Sequence, residues 1–195
     1  MSLRISRLRA AAAVIGALVG LAIVSVPAAQ AAPAPWSGTF ASFPASSWRS
    51  AWGIDGRGEF GFGNMKNASG TLDVKYGKGS SAPSCTDCPT SGGGQFYQDL
   101  GRNGHSDLKS ATTLYFRYKV RFPTDFDFGK GGKLPGLYGG NPGEASGGNH
   151  GQAWSTRFMF RNGSNGEVYV YTPAGDGYGK DVGLGAWKFN PDNQT

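Results

Sequence analysis

WSTRFMFR at residues 154–161 and EVYVYT at residues 167–172 are the two runs that decide the fold class. In both runs, core-type side chains alternate with polar or tyrosine side chains, which is the two-residue period of a β-strand. Gly-Ser-Asn-Gly at residues 163–166 separates them and is a turn signal. The sequence therefore predicts two antiparallel strands joined as a hairpin.

The predicted hairpin has two different faces, because successive side chains of a strand point to opposite sides. If the phenylalanine and valine side chains pack inward, Ser155, Arg157, Tyr169 and Tyr171 project together on the solvent side. Such a face suits a sugar, since tyrosine offers an apolar ring and a hydroxyl group. It also suits the wet face of an ordinary antiparallel sandwich, so the pattern alone leaves both interpretations open.

Further strands are predicted in the part of the chain that precedes this hairpin. Thr112–Phe122 has the most regular alternation, with a basic face formed by Arg117, Lys119 and Arg121. Weaker candidates are Thr39–Phe43, Trp48–Gly53, Gly70–Tyr76 and Gln95–Leu100. No stretch shows a helical period, and 33 glycines favour turns. We therefore expect an all-β protein built from two sheets.

The first 31 residues have the composition of a secretory signal peptide. A basic start is followed by the apolar run Ala10–Val26 and the cleavage signal Ala29-Gln30-Ala31. We expect a secreted protein with a single domain over residues 32–195 and no membrane contact after cleavage. Loss of the three signal-peptide arginines lowers the net charge from +6 to about +3. With no DNA- or RNA-binding motif, this charge does not indicate a nucleic acid partner.

The two cysteines, Cys85 and Cys88, lie in a Ser/Gly/Pro-rich loop predicted over residues 77–94. In an exported protein, this isolated pair predicts a local disulfide. No acidic cluster has calcium-loop spacing and no His/Cys tetrad is present in the sequence. We expect neither a metal nor another cofactor.

A glycine-dense run at residues 129–140 contains Lys133-Leu-Pro-Gly-Leu-Tyr-Gly-Gly and fits neither a Walker loop nor a dinucleotide fingerprint. Together with the WSTRFMFR and EVYVY runs, in this order, it resembles the polysaccharide lyase family 14 domain. The resemblance covers roughly residues 45–190. It implies a jelly-roll β-sandwich of two antiparallel sheets, and a lyase that cleaves a polyuronate, of the alginate or glucuronan class, by β-elimination to 4,5-unsaturated uronates. We expect the protein to be a monomer.

The resemblance also implies roles for individual residues. Lys133, Tyr169 and Tyr171 match the catalytic positions, while Ser155 and Arg157 match substrate-binding positions. Arg157 would neutralise the uronate carboxylate, and Lys133 with one tyrosine would move the protons, in an order that the sequence leaves open. The family also has a histidine in the loop before the Ser-x-Arg strand. His150 is the candidate for this substrate-binding position, with Asn149 as the alternative occupant.

Two other functional classes are compatible with an all-β domain of this composition. A non-catalytic module that binds acidic glycans would use the same basic and aromatic face. A glycoside hydrolase is disfavoured, because it needs paired carboxylates and only Glu167 lies on the predicted face. The family domain continues with further strands, so we expect the chain to be incomplete at its C-terminus. The identity of the uronate and the choice between endo and exo cleavage stay open.

Overall fold

The structure is a computed structural model that describes residues 35–81, 90–140, 153–173 and 180–189. The chain divides into two compact units, residues 1–32 and 33–195, and the described residues belong to the second. The predicted signal peptide lies outside the described residues. None of the described helices has the length and apolar character needed to cross a membrane.

The first part of the second unit consists of short elements. Helix α1 spans Ser46–Trp52, and strands β1 (Met65–Ala68) and β2 (Thr71–Val74) form an antiparallel hairpin. Strands β3 (Ser80–Ser81) and β4 (Thr90–Ser91) pair in parallel, and helix α2 spans Ser106–Lys109. Helix α1 and the β1–β2 hairpin contribute to a cluster built on Phe43, Trp48, Ile54 and Met65.

The strand predicted at Trp48–Gly53 is wrong, because this stretch forms α1. Trp48 and Trp52 are four residues apart and therefore share one helical face. Both indoles pack against Phe40 and Phe96, with Trp48 almost completely buried. Gly53 then ends the helix in the left-handed conformation, at φ 60° and ψ 43°. Burial of aromatic rings on one side outweighs the strand preference of tryptophan.

The other weak predictions have mixed outcomes. The strand at Thr39–Phe43 is wrong, since the chain turns at residues 41–44. The segment Gln95–Leu100 makes only isolated bridges, from Gln95 to Phe60 and from Gln98 to Ile54. The prediction for Gly70–Tyr76 is confirmed by β2, although its partner β1 escaped the sequence pattern.

The main sheet is formed by the second half of the described chain. Its strands are β5 (Gly132–Lys133), β6 (Tyr138–Gly139), β7 (Trp154–Phe160), β8 (Asn165–Tyr171) and β9 (Lys180–Lys188). All pairs are antiparallel, in the order β5-β7-β8-β9, with β6 also on β7. The predicted hairpin is confirmed by β7 and β8, whereas β9 was not expected.

The segment Thr112–Phe122 does not form a strand, contrary to its regular pattern, because it pairs with no strand in the described ranges. Its side chains still alternate. Tyr118, Val120 and Phe122 turn toward the main sheet, where Phe122 joins Leu134 and Phe160 in a second core cluster. The basic side chains between them are exposed.

The all-β class is confirmed, with antiparallel pairing throughout the main sheet. One face of that sheet, carrying Phe158 and Phe160, packs on the second cluster. Within the described residues, no second sheet of more than two strands covers this face. The jelly-roll topology therefore stays a prediction.

Candidate active site

The register of the main sheet places the five motif residues on the opposite face, away from the second cluster. Ser155 pairs with Tyr171, and Arg157 pairs with Tyr169. Lys133 pairs with Met159 from the other side of β7. Cross-strand partners share a face, and residues two apart in a strand do too. Lys133, Ser155, Arg157, Tyr169 and Tyr171 therefore lie on one face, which we call the catalytic face after the roles that the motif resemblance implies for them.

Lys133 and the two tyrosines form a contact cluster on the catalytic face. Lys133 Nζ donates a hydrogen bond to Tyr171 Oη at 3.2 Å. The same ammonium lies 4.8 Å from the ring centre of Tyr169 and 5.3 Å from that of Tyr171. The two rings meet edge to face at 5.3 Å. Lys133 is exposed while both tyrosines are half-buried, so the cluster opens to solvent on the lysine side.

Arg157 brings a second cation to the same cluster. Its guanidinium carbon lies 5.7 Å from the ring centre of Tyr171. Its Nη1 atom is buried and, within the described residues, has no hydrogen-bond partner. A buried donor without an acceptor is costly, and a carboxylate would satisfy it. The side chain is therefore prepared to bind an anion.

The electrostatic surroundings of Tyr171 act on its hydroxyl in opposite directions. Burial raises the pKa, but the hydrogen bond and charge of Lys133 lower it, as do a hydrogen bond with Tyr169 and the charge of Arg157. The net result is a pKa below the ordinary tyrosine value. The phenolate form of Tyr171 is thus easier to reach than that of a free tyrosine.

The backbone around Lys133 is held from below by two other tyrosines. Tyr76 donates from its hydroxyl to the carbonyl of Lys133, and Tyr118 donates to the carbonyl of Pro135, both at 3.3 Å. Burial raises the pKa of Tyr118, which keeps that donor protonated. Sequence reasoning gave neither tyrosine a role, because their contact with the glycine-rich run spans long separations along the chain.

The catalytic face is more buried than the hairpin pattern predicted. Ser155 is only 1% exposed and Met159 is 5% exposed, whereas Trp154 on the supposed inner face is 38% exposed. The prediction that this face is open to solvent is therefore wrong at Ser155, whereas Lys133 is exposed and the two tyrosines are half-buried. The physical reason is that β5 and β6 flank β7, and Tyr138 lies opposite Ser155.

An ion pair lies at the turn end of the catalytic face. Glu167 is 0% exposed, and its Oε1 accepts a hydrogen bond from Arg161 Nε at 2.6 Å. The guanidinium carbon of Arg161 lies 5.8 Å from the ring centre of Tyr169. This ion pair could have been predicted from the sequence, because the two residues have opposite charges and lie on the same face of the predicted hairpin, close to its turn. The three motifs do not include it.

Three predicted site residues cannot be placed. His150, Cys85 and Cys88, and with them the expected disulfide, lie outside the described residues. Among the residues that the structure describes, no three His, Cys, Asp or Glu side chains are grouped so that they could hold a metal ion.

The comparison with protein-family models agrees with the motif pattern. The family model described as polysaccharide lyase 14 matches residues 64–195, well over half of the chain. The crystal structure of the marine PL-14 alginate lyase from Aplysia kurodai is similar at 25% sequence identity, with a TM-score of 0.49. The match covers 68% of this chain and 57% of the alginate lyase chain. No curated protein matches the sequence.

Proposed function

Because the chain belongs to polysaccharide lyase family 14, we propose that it cleaves an acidic, uronic acid-containing glycan by β-elimination. One observation carries the proposal: the Lys133–Tyr171 hydrogen bond lies beside Arg157, whose buried Nη1 has no partner among the described residues. This arrangement provides a proton donor, a proton acceptor and an anion ligand within one cluster.

Elimination begins with the uronate carboxylate. The C5 proton of the sugar lies next to this group and becomes acidic only when its charge is neutralised. Arg157 is suited to that task, because its planar guanidinium never loses its charge and matches a carboxylate in shape. The role of Ser155 as a substrate ligand stays a prediction, since its side chain is almost completely buried.

We assign the base to Tyr171 and the acid to Lys133. The phenolate of Tyr171 takes the C5 proton, and the electrons of the C5–H bond form the C4–C5 double bond. The C4–O4 bond breaks, and the departing oxygen takes a proton from the Lys133 ammonium. Tyr171 then returns its new proton to Lys133 across their hydrogen bond, which restores both groups. The lowered pKa of Tyr171 favours this order.

The proposed substrate is a polyuronate, and alginate and glucuronan are the two classes to test. Both contain the carboxylate that Arg157 would neutralise, so the cluster by itself does not rank them. We also propose that the protein is exported, on the basis of the signal peptide predicted over residues 1–31.

The test is to incubate the protein with polymannuronate, polyguluronate and glucuronan and to follow the ultraviolet absorbance of the unsaturated uronate. We expect product from one of these polymers, lost in Lys133→Ala and kept in Lys130→Ala. Lys130 is a matched control, since it is exposed in the same glycine-rich run. Binding without product would instead identify a non-catalytic glycan-binding module, and neither binding nor product would refute both functions.

A further inference from the structure

The Arg161–Glu167 ion pair is not used by the proposed chemistry, yet it borders the catalytic cluster. We propose that Glu167 is a positioning residue that acts through Arg161 on Tyr169, and thereby keeps the Lys133–Tyr171 pair in register. The inference rests on the proposed function for its kinetic consequences. It identifies a contributor to the reaction that does not touch the substrate.

The first argument is the burial of Glu167. A carboxylate with no solvent exposure is costly unless a cation compensates it, and an apolar side chain at that position would pack at lower cost. Here the compensating cation is Arg161, which is itself mostly buried, with 28% of its side chain exposed. The carboxylate therefore fixes one arginine in one place at the end of the catalytic face.

The second argument is the path of contacts from Glu167 to the reacting groups. Arg161 and Lys133 are both within cation–π distance of the Tyr169 ring, at 5.8 and 4.8 Å from its centre. Tyr169 contacts Tyr171, which accepts the hydrogen bond from Lys133. Tyr169 is therefore held by two cations, and only Lys133 belongs to the proton-transfer pair. Without Glu167, the arginine would lose the ion pair that orients it toward Tyr169.

The alternative is that the ion pair only closes the hairpin. Arg161 also donates its backbone amide to the carbonyl of Asn165 across the turn. In that case, removal of the pair would lower the thermal stability and the folded fraction, without a specific effect on Tyr169. The two roles can therefore be separated by measurements on folded protein.

The kinetic experiment compares Glu167→Gln, Arg161→Met, Arg161→Lys and the double variant Glu167→Gln/Arg161→Met. For a positioning pair, Glu167→Gln and Arg161→Met should each lower kcat about 10- to 100-fold, with KM changed by less than about 3-fold. The double variant should be no slower than Arg161→Met, because both changes remove one contact path. Arg161→Lys keeps the charge and should recover part of kcat.

A second ion pair in the molecule provides the matched control. Arg49 and Glu59 also meet at 2.6 Å, in the part of the chain that precedes β1. Glu59→Gln should leave kcat unchanged. Its effect on thermal stability measures what the loss of a largely buried, paired carboxylate costs away from the site. Independent, additive losses in the double variant at Arg161 and Glu167 would overturn the proposal. So would losses that simply follow the folded fraction.

A readout without turnover separates this inference from the proposed function. In protein labelled with ¹³C-tyrosine, the resonance of Tyr169 can be assigned by its absence in Tyr169→Phe. Glu167→Gln should shift or broaden that resonance, and Glu59→Gln should not. If no polyuronate is cleaved by the wild type, the proposed function fails and this spectrum decides the positioning role. An unchanged Tyr169 resonance in folded Glu167→Gln and Arg161→Met would refute it.

Discussion

The hairpin of β7 and β8 and the segment Thr112–Phe122 place aromatic side chains against the same core cluster, but their backbones are engaged differently. In the hairpin, β7 pairs with β5, β6 and β8, and β8 also pairs with β9. In the segment, the described residues provide no partner strand. The side chains of both regions nevertheless pack in this cluster. The hairpin contributes Phe158 and Phe160, and the segment contributes Tyr118, Val120 and Phe122.

The difference shows what backbone pairing adds to an alternating sequence. Pairing on both sides fixes the register, so that side chains from three strands meet in one cluster at distances near 3 to 6 Å. The segment has a basic face as well, yet none of the ion pairs within the described ranges includes Arg117, Lys119 or Arg121. Alternation of side chains alone places the basic residues on one face, whereas strand pairing also brings residues from different strands into contact.

The largest expected effect comes from a hairpin residue against which the segment packs. Phe160 is 2% exposed and contacts Phe122, Phe126 and Phe128. Phe160→Ala should lower the free energy of unfolding by about 3–5 kcal/mol, because it opens a cavity between the two regions. Tyr115→Ala, at a side chain 96% exposed in the segment, should change it by less than about 0.5 kcal/mol. Urea unfolding measures both, and similar losses would contradict the shared core.

Hydrogen exchange should separate the two backbones directly. The amides of β7 and β8 are in ladders, whereas those of Thr112–Phe122 have no strand partner in the described chain. We expect protection about 100-fold higher in the hairpin under native conditions. Exchange followed by peptide mass spectrometry measures the difference. Equal protection would mean that the segment is paired in solution.

A smaller effect is expected where the glycine-rich run crosses the hairpin. A side chain at Gly136 would collide with the carbonyl oxygen of Thr156 in β7. Gly136→Ala should therefore cost about 1–3 kcal/mol of stability through overpacking. Gly63→Ala is the control, since a β-carbon at that position would meet no atom within 4 Å. A neutral Gly136→Ala would show that the run can move away from β7.

Titration should distinguish a lysine that contacts the hairpin from a lysine of the segment. Lys133 lowers the pKa of Tyr171, so Lys133→Met should raise it, because burial remains and the hydrogen bond and charge are lost. Lys119→Met, in the segment, should leave that pKa unchanged. Spectrophotometric titration of tyrosinate measures the shift. In the lyase assay, the activity of the wild type should rise at a lower pH than would be expected for a tyrosine base of ordinary pKa.

The smallest effect is expected on the exposed face of the segment. Replacement of Arg117, Lys119 and Arg121 by glutamine removes three exposed charges that have no ion-pair partner among the described residues. Stability should change by less than about 0.5 kcal/mol in thermal or urea unfolding. A larger loss would show that this face is packed against another part of the protein.

Much of the catalytic face could be predicted from local pattern. The turn signal and the two alternating runs predicted the hairpin, and the alternation correctly grouped Ser155, Arg157, Tyr169 and Tyr171. Strand β9 escaped prediction because Gly183 and Gly185 interrupt it with left-handed backbone, at φ 70° and 74°. Helix α1 escaped because its two tryptophans read equally well as strand residues until their shared aromatic cluster is known.

The sequence by itself determined which side chains share a face, because that property follows from the two-residue repeat of a single strand. It also determined the family, through three short motifs in order. Only the tertiary structure decided how deeply the face is buried, how Lys133 reaches Tyr171, and that Glu167 holds Arg161 beside Tyr169. These properties depend on neighbouring strands and on contacts between distant parts of the chain, which no local repeat specifies.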